Sequence, residues 1–407
     1  MVKRATLAIL GVLLCVLYGC TAAPSDSLLD GYESCRKQVF GNGIVFSASV
    51  RGGDTRAALQ EMQTLFEEIE ADMSLSKADS ALSKFNALGA GEQPSNAYES
   101  ERVRVSRHTY ETVLRAMAFY EETQGAFNVA VYPLSRLWHI DTDGLNRYTF
   151  APVDECPAPP AYEEVLQTID ACDIRRLHCE ESDGAYYLYK TDPRLQIDLG
   201  AVAKGYAADE CIRIAKAHGV RSAIIDVSGN ISLLGEWYRP AQKAYTPWNI
   251  GVTAPRPARG LGGNVCALGV SADKTLVTSG DYERFYVTRS GGNELWVPHI
   301  VNGKTGLPLG VAYTGDQYVN TGDHIISATV ICNDSAKADA YATAVCLLGK
   351  SEGAAFLRAH GMRGLLITAD NIMCLVDVNE QSEEGEVYFT LKNEYAAYTR
   401  YTLETAR

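Results

Sequence analysis

Asp339 and Thr343 stand four residues apart in the alanine-rich run "ADAYATAVCLLG" of residues 338–349. If that run is a helix, both side chains project from one face and present a carboxylate beside a hydroxyl group. Such hard oxygen donors are the ligands that Mg²⁺ accepts. The structural alternative is an aspartate favoured by the helix dipole and a threonine bonded to a preceding carbonyl. The spacing leaves both interpretations open.

A second cluster lies in "QIDLGAVAKGYAADE", where Asp198 ends a predicted strand and Lys204 begins a predicted helix. The glycines at 200 and 205 allow a tight turn that brings backbone amides and a cation together, which suits a phosphate. The stretch has neither the GxxxxGK[ST] nor the GxGxxG order. An ordinary strand-to-helix turn with an exposed lysine is therefore the alternative.

A third cluster joins "VTSGDYERFYV" to "PHIVNGKTGLP" and contains His299 together with the hydroxyl groups of Thr278, Ser279 and Tyr282. An imidazole titrates near neutral pH, so His299 is a candidate general acid or base. A structural histidine is the alternative here, and it is our interpretation of the other six histidines.

The elements that must position these residues alternate short strands with helices. Helical spacing of apolar residues predicts helices over 56–70 and around 110–117, and a Pro-rich stretch at 151–165 should lie on the surface between two lobes. Because strands outnumber helices and many are joined by tight turns, we predict an α+β fold with mainly antiparallel sheets and packed helices. The other predicted elements are strands at "KQVFGNGIVFSASV", "GAYYLYK" and "RLQIDLG", a helix over 201–219 and a hairpin around 228–230.

Charge and the N-terminal residues bear on location and partners. A net charge of −13 argues against nucleic acid as a partner. Lys3 and Arg4 precede an apolar run that is too short to span a bilayer and is typical of a secretory signal. The ending "LYGC" resembles a bacterial lipobox, which would make Cys20 the lipidated first residue; a plain secretory signal is the alternative. Nine further cysteines follow, and we expect most of them to be buried thiols.

Seven stretches together resemble one family, the FAD:protein FMN transferases or ApbE-type flavin-trafficking proteins, over roughly residues 38–370. The stretches occur in the family's order. They are "SLSKADSALSKFN", "GAFNVAVYPLSRLW", "IDLGAVAKGYAAD", "SGNISLLG", "TSGDYERFY", "HIVNGKTGLP" and "SATVICNDSAKADAYATAVCLLG".

The resemblance implies an ApbE-like (T-fold-like), two-lobed single domain that binds FAD and Mg²⁺ outside the cytoplasm. It implies cleavage of the FAD diphosphate, attachment of FMN to a threonine or serine hydroxyl of an acceptor protein through a phosphoester, and release of AMP. The metal ligands would be Asp339, Thr343 and the backbone of Ala201, with Ala342 as a further contributor. His299 would assist proton transfer from the incoming hydroxyl. The FAD contacts would be Ala126, Phe127, Asn128, Asp198, Lys204 and Val301, with Ser76 near the flavin.

The chain departs from the family pattern at several positions, which affects the affinity and acceptor choice that the resemblance implies. Asn128 replaces an aspartate, Ala130 a threonine, and Ser76 a tyrosine or asparagine, and Asn302-Gly303 replaces Asp-Pro. Two alternatives to transfer therefore stay open: an FAD diphosphatase that yields FMN and AMP, and a non-catalytic exported flavin-binding lipoprotein.

The resemblance also implies an organisation and a set of partners. We expect a signal peptide over 1–19, the lipidated Cys20 and a polar tether over 20–36, the flavin transferase domain over 37–390, and a C-terminal tail over 391–407. The acceptor would carry a threonine flavinylation motif in a redox-pump or electron-transfer subunit. The protein would be exported and lipid-anchored to the bacterial cell membrane.

Overall fold

The structure is a computed structural model that describes residues 29, 31–39, 44–89, 101–256, 263–271, 273–379, 387–390 and 401–406. The α-helices in these residues are α1 Thr55–Met73, α2 Ala81–Ala87, α3 Arg107–Glu122, α4 Tyr132–Leu137, α5 Thr142–Tyr148, α6 Tyr162–Ile169, α7 Ala203–Ala217 and α8 Ser335–Ala359. The strands are β1 Glu33–Val39, β2 Ile44–Arg51, β3 Val103–Val105, β4 Leu177–Ser182, β5 Ala185–Lys190, β6 Ser222–Val227, β7 Asn230–Leu234, β8 Trp237–Arg239, β9 Ala244–Thr246, β10 Trp248–Thr253, β11 Asn264–Val270, β12 Thr275–Gly280, β13 Phe285–Ser290, β14 Asn293–Pro298, β15 Val311–Tyr313, β16 Tyr318–Asn320, β17 Ile325–Cys332, β18 Arg363–Thr368, β19 Ile372–Val376, β20 Val387–Thr390 and β21 Thr402–Ala406.

A nine-stranded sheet forms the centre of the molecule, in the order β1-β2-β6-β7-β12-β17-β18-β19-β21. All neighbouring strands are antiparallel except β19 and β21, which are parallel. The pairing of β2 with β6 joins residues 44–51 to residues 222–227 across a long intervening segment. The α+β prediction with mainly antiparallel sheets is confirmed.

The two faces of this sheet are covered differently. Helices α1, α7 and α8 pack on one face and contribute alanine, leucine and aromatic side chains to the largest buried cluster. Strands β10, β11 and β20 form a smaller sheet over the other face, where Trp248, Leu268 and Phe389 are buried against β18 and β19. The sheet is therefore buried on both sides.

A second lobe is built from α4, α5, α6 and the strands β13 to β16 around its own buried cluster. Trp138 lies at its centre, fully buried, and donates its indole N–H to the Gly306 carbonyl at 2.8 Å. The Tyr286 hydroxyl donates to the Trp138 carbonyl at 2.8 Å. These contacts tie the segment after β14 to α4, so the catalytic candidates of the third cluster lie where this lobe meets the central sheet.

Two predicted strands are wrong. The single strand predicted at residues 37–50 is a hairpin of β1 and β2, with Val39 paired to Ile44, and residues 40–43 lie outside the described residues. The Asn42-Gly43 dipeptide is a turn signal that the strand prediction overlooked. "RLQIDLG" forms no strand, because the backbone of Ile197 bonds to the side chain of Asn86 instead of to another strand.

The other predicted elements are confirmed, including α1, α3, α7, α8 and the hairpin of β6 and β7, whose turn places Ser228 and Gly229 at positive φ. The nine cysteines of the described residues are free thiols, five of them buried. Residues 402–406, predicted as part of a tail, form β21 at the edge of the central sheet. None of the helices in the described residues is long and apolar enough to cross a bilayer.

Candidate active site

Asp339 lies in the second turn of α8 and is the most strongly held acidic group of the candidate site. Its side chain is 3% exposed, and its two carboxylate oxygens lie 3.2 and 3.3 Å from the Lys204 ammonium. One of them also accepts the backbone N–H of Gly205 at 3.1 Å. A buried carboxylate needs such a positive partner and such a donor, because removing its charge from water is costly. The first and second clusters of the sequence therefore meet at one point.

Gly205 makes this meeting possible because α7 and α8 approach each other closely there. A Cβ atom on Gly205 would lie 2.3 Å from the Ser335 carbonyl oxygen and 2.6 Å from the Ala336 Cα atom. Contacts that short do not occur, and both partners are backbone atoms that cannot rotate away. The glycine therefore lets the start of α7 lie against the start of α8, with Lys204 over Asp339.

We expect Gly205→Ala to separate α7 from α8 and to lower both the stability and the activity of the protein. Overpacking of this kind costs about 1–3 kcal/mol or more, which thermal unfolding would show as a lower Tm. Gly322→Ala is the matched control, since a Cβ there meets no atom within 4 Å. Equal Tm values for the two variants would contradict the role given to Gly205.

Thr343 follows Asp339 by one helical turn on the same face of α8, as the sequence predicts. Its hydroxyl lies 3.4 Å from the Asp339 carbonyl oxygen and 3.3 Å from the hydroxyl of Ser279 at the end of β12. Both the structural and the metal-binding interpretation of Thr343 fit these contacts, because a hydroxyl that donates to a carbonyl still has lone pairs to offer. Ala342 is fully buried in α8 beside it.

The turn before α7 places Asp198 and Ala201 next to Lys204. The Lys204 ammonium donates to the Gly200 carbonyl at 2.7 Å, and the Asp198 carboxylate accepts the Gly200 N–H at 2.8 Å. The Asp198 N–H donates in turn to the Val129 carbonyl at 2.9 Å. Ala201 is half-buried and begins the turn that leads into α7. The turn is thus fixed by its own side chains and by the "GAFN" motif.

The segment before this turn, residues 194–197, is held by a buried lysine. Lys190 is fully buried, and its ammonium donates to the backbone carbonyls of Pro193 and Leu195 at 3.2 and 2.7 Å. Burial lowers the pKa of Lys190 to about 8. The amide side chain of Asn86 bonds to both the N–H and the carbonyl of Ile197. These contacts fix the backbone of residues 193–197 and so set the position of Asp198, which follows directly.

His299 lies at the end of β14, where its ring is fixed by the backbone. Its Nδ1 is 3.1 Å from the Arg284 carbonyl oxygen. Because a carbonyl only accepts, Nδ1 carries the proton and Nε2 has the free lone pair. The His299 side chain is only half-buried by surface area but is surrounded by protein, and this desolvation lowers its pKa to about 3, with the Arg284 charge acting in the same direction. The neutral imidazole can therefore accept a proton at Nε2.

Glu283 and Arg284 complete the cleft, and the sequence analysis missed both. Their side chains are exposed by surface area and yet surrounded by protein, as residues on the wall of a cleft are. Burial raises the pKa of Glu283 to about 7, with the Lys204 charge opposing it. Burial also lowers the pKa of Arg284, with the charge of Asp198 opposing it most. The available signal was a pair of charged residues in the turn that follows Ser279-Gly280 in "TSGDYERFY".

The "GAFN" residues have mainly structural contacts. Ala126 and Phe127 are buried in the main core, and Phe127 packs edge-on against Phe119. The Asn128 side-chain oxygen accepts the Ala130 N–H at 2.8 Å, and its amide nitrogen donates to the Cys172 carbonyl at 2.9 Å. An aspartate could make the first contact but not the second. The departure from the family pattern at Asn128 therefore fits its surroundings in this chain.

We expect Asn128→Asp to destabilise the protein, because it would place a carboxylate oxygen against the Cys172 carbonyl. Loss of the amide donor should lower the free energy of unfolding by about 1–3 kcal/mol. Protonation of the new carboxyl group near pH 4 should restore part of that free energy, because a protonated carboxyl can donate. Thermal unfolding at pH 7 and pH 4 would measure both effects. Asn293→Asp, on an exposed position of β14, is the control. A variant at least as stable as the wild type at pH 7 would contradict this role.

The last two predicted residues lie at the margins of the site. Ser76 is exposed in the turn between α1 and α2, and no hydrogen bond or ion pair among the described residues links it to Lys204 or Asp339. Val301 is buried in the second lobe, where it bridges to Pro308. A cavity of about 650 Å³ lies beside the cleft and is lined by residues that include Arg136, Asp141 and Gln196. None of the predicted site residues lines that cavity.

The donor set around Asp339 fits a hard divalent cation. A carboxylate and a hydroxyl project from one face of α8, and a cationic group, the Lys204 ammonium, already lies against both carboxylate oxygens. Oxygen donors of these types are what Mg²⁺ accepts, often with water and substrate phosphates completing the shell. Clusters of three or more His, Cys, Asp or Glu side chains in metal-binding arrangement do not occur in the described residues.

In fold, the chain is a two-lobed α+β protein of the class to which two solved structures belong. The flavin transferase ApbE from Vibrio cholerae superposes with a TM-score of 0.61 at 22% identity, covering 91% of this chain and 100% of that chain. The ApbE protein from Thermotoga maritima superposes with a TM-score of 0.62 at 24% identity, covering 83% of this chain and 94% of that chain.

Sequence comparisons give the family. A family model described as the ApbE family matches residues 42–366, so the chain belongs to the ApbE family. The FAD:protein FMN transferase of Treponema pallidum (strain Nichols) is 33% identical over 377 residues, which cover 89% of this chain and 91% of that protein. The FAD:protein FMN transferase of Vibrio cholerae is 27% identical, with 77% and 80% covered. The resemblance found in the sequence, and with it the interpretation as an enzyme of this family, is confirmed.

Proposed function

We propose that the protein transfers FMN from FAD to a threonine or serine hydroxyl of an acceptor protein through a phosphoester bond, with Mg²⁺ as cofactor. The observation that carries this proposal is the convergence of Asp339, Thr343, Lys204 and His299 on one cleft. The relatives named FAD:protein FMN transferase support it. The acceptor is a protein with a threonine flavinylation motif in a redox-pump or electron-transfer subunit.

The chemistry asked of the chain is mainly positioning and proton transfer. The acceptor hydroxyl oxygen attacks the phosphorus of the FMN half of FAD, the bond to the bridging oxygen breaks, and AMP leaves. His299 accepts the hydroxyl proton at Nε2, since Nδ1 is committed to the Arg284 carbonyl. Lys204, at the start of α7, supplies positive charge to the diphosphate, and the Asp198 turn holds it in place. The "GAFN" segment would contact FAD through its backbone, because Phe127 is buried.

Asp339, Thr343 and the Ala201 carbonyl would hold Mg²⁺, with Ala342 as a further contributor. When bound, Mg²⁺ supplies charge neutralisation to the diphosphate oxygens. The Gly205 N–H fixes one Asp339 oxygen, so the carboxylate is oriented before any ligand arrives.

The test is to incubate the purified protein with FAD and Mg²⁺, with and without an acceptor domain that contains a threonine motif. We expect the acceptor to gain the mass of FMN, one AMP to appear per acceptor modified, and EDTA to stop both. AMP and free FMN without acceptor modification, for a series of acceptors, would identify a diphosphatase. FAD that stays bound and intact would identify a flavin carrier. Either result would overturn the transferase proposal.

We expect the acid limb of the pH profile to lie well below pH 6.5, the ordinary pKa of histidine. The base form of His299 is the neutral one, and a lowered pKa keeps it neutral to lower pH, so activity falls only as the pH drops through that pKa. The measurement is kcat/KM between pH 5 and 8, which reports the free enzyme. The measurement should be made in the Glu283→Gln variant, because burial raises the pKa of Glu283 to about 7 and its titration would overlap the profile. An acid limb of kcat/KM near pH 6.5 would contradict a lowered pKa of His299.

Location is part of the proposal. We propose that the protein is exported, loses a signal peptide over residues 1–19 and is anchored to the bacterial cell membrane by lipid on Cys20, all of which lie outside the described residues. The lipobox-like "LYGC" supports this. Cys20→Ser should release the protein from the membrane fraction.

A further inference from the structure

We propose that the β8–β9 hairpin rests on an anionic phospholipid bilayer, so that the catalytic cleft is held at the end of the molecule away from the membrane. This inference rests on the lipid anchor at Cys20 proposed above. We call the hairpin of residues 237–246, with Arg51 and Arg221 beside it, the basal face.

The first argument is where the anchored end of the chain meets the folded protein. The Tyr32 hydroxyl lies 2.6 Å from the Ser222 hydroxyl and accepts the N–H of Tyr238, in β8, at 2.8 Å. Arg51 donates to the Gly31 carbonyl at 2.6 Å. The start of the folded chain is therefore fixed against the basal face.

The length of the tether limits how far this face can be from the lipid. Cys20 precedes Leu29 by nine residues. Even fully extended, that segment spans no more than about 30 Å. A less extended tether brings the basal face closer to the lipid. The bilayer is therefore a large surface that the basal face can reach.

The second argument is the chemistry of the hairpin. Trp237 is half-buried: its ring stacks at 6.2 Å on Trp248, which belongs to the core beneath the hairpin, and the Arg239 guanidinium lies 4.4 Å from the Trp237 ring centroid. Tyr245 is 46% exposed and is one of four exposed large hydrophobic residues in the described chain. Aromatic side chains with a polar edge are enriched at the membrane–water interface. The hairpin therefore has the side chains of an interfacial contact.

Charge adds to this match. Arg51, Arg221, Arg239 and Lys243 lie on the basal face, in a chain whose net charge is −13. Glu33, Asp54 and Glu236 adjoin these elements in sequence, and Asp273 contacts Gly235, so the excess of positive charge is confined to the hairpin itself, whose residues 237–246 include Arg239 and Lys243 and no acidic residue. Clustered Lys and Arg near a bilayer are attracted to anionic lipid headgroups. Anionic lipid is therefore the surface that this local excess of positive charge fits.

The third argument is the direction of α7, which links the two ends of the molecule. Lys204 at its first turn lies at the catalytic cleft, whereas Lys216 at its last turn pairs with Asp273 at 2.9 Å. Asp273 in turn accepts the N–H of Gly235, just before the hairpin, at 2.8 Å. Since α7 has 15 residues, it is about 22 Å long. The cleft and the hairpin thus lie near opposite ends of α7, about one helix length apart.

The test is hydrogen exchange on the full lipidated protein. Samples would be reconstituted into vesicles of phosphatidylcholine alone, into vesicles of phosphatidylcholine with phosphatidylglycerol, and into detergent micelles. We expect exchange over 237–246 to slow several-fold in the anionic vesicles relative to detergent, to slow less in phosphatidylcholine, and to stay unchanged over 299–305. Unchanged exchange over 237–246 in all three samples, or protection over 299–305 instead, would overturn the proposal.

Variants separate the bilayer from other causes of protection. Lys243→Glu alone, and Lys243→Glu with Tyr245→Ser, should return exchange over 237–246 toward the detergent value. Phe150→Ser, which removes an aromatic side chain 77% exposed elsewhere, should leave it unchanged. Hairpin protection in detergent that increases with protein concentration would assign the face to a second copy and overturn the proposal. A Cys20→Ser protein that stays in the membrane fraction would remove the anchor on which the inference rests. FMN transfer measured on the same samples would show whether the proposed function, as distinct from the docking, has failed.

Discussion

Asp339→Asn should abolish FMN transfer while leaving a folded protein. The substitution keeps the shape of the side chain but removes the charge that the Lys204 ammonium contacts at 3.2 and 3.3 Å and that Mg²⁺ would bind. Loss of one preorganised charge-stabilising group costs about 10²–10³ in kcat, and loss of the metal as well should reach at least the upper end. Initial rates of acceptor flavinylation at saturating FAD and Mg²⁺ would measure it.

The matched control for this substitution is Glu352→Gln, an exposed carboxylate in the second segment of α8, which begins after a break in the helix at Gly349 (φ 81°). It removes one negative charge from α8 without touching the cleft, so its rate should equal that of the wild type. If mass spectrometry shows that the Asp339→Asn protein is free of wild-type protein and its rate still equals that of the wild type, Asp339 has no part in the proposed site. A folded but inactive Asp339→Asn together with an inactive Glu352→Gln would indicate damage to α8 in place of loss of a ligand.

His299→Gln should lower the rate of transfer by about 10²–10⁴, the range for losing a positioned general base. Glutamine can keep a hydrogen bond to the Arg284 carbonyl, but it offers no basic nitrogen at the position of Nε2. Because the neutral imidazole is the form present in the cleft, FAD affinity should change little. Single-turnover rates with fluorescence titration of FAD would separate the two quantities.

His360→Gln provides the comparison, since the His360 Nδ1 also contacts a backbone carbonyl, that of Phe356 at 2.8 Å, but lies outside the cleft. The rate of FMN transfer by His360→Gln should equal that of the wild type. Added imidazole should partly restore transfer by His299→Ala, which a purely structural role would not produce. Loss of FAD binding in His299→Gln would instead make His299 a ligand contact.

The helix face that carries Asp339 and Thr343 could be predicted from sequence because both residues belong to one element with a fixed period. The same holds for α7 and for the hairpin of β6 and β7. The spacing left the metal role of Asp339 as one of two alternatives, and the resemblance to the family selected it. Local periodicity thus gave the placement of side chains within an element.

Contacts between elements could not be read from the sequence in the same way. The pairing of Lys204 with Asp339 depends on how closely α7 approaches α8, which only the space at Gly205 reveals. Residues 194–200 were predicted as a strand because their alternation is that of a strand, yet their partners are the Asn86 and Lys190 side chains. Glu283 and Arg284 lie on the wall of the cleft, and their shifted pKa values arise from that surrounding. The cleft forms only where the second lobe meets the central sheet, so neither residue could be identified from local sequence.

The pairing of β2 with β6 has a consequence for biogenesis. These neighbouring strands are separated in sequence by α1 to α7 and by β3 to β5, so they cannot pair until more than half of the chain has been made. Contacts between sequence-distant residues slow folding, because loop closure must come first. A nascent chain of this protein should therefore stay unfolded while it emerges, which is the state that a translocation channel for unfolded chains accepts.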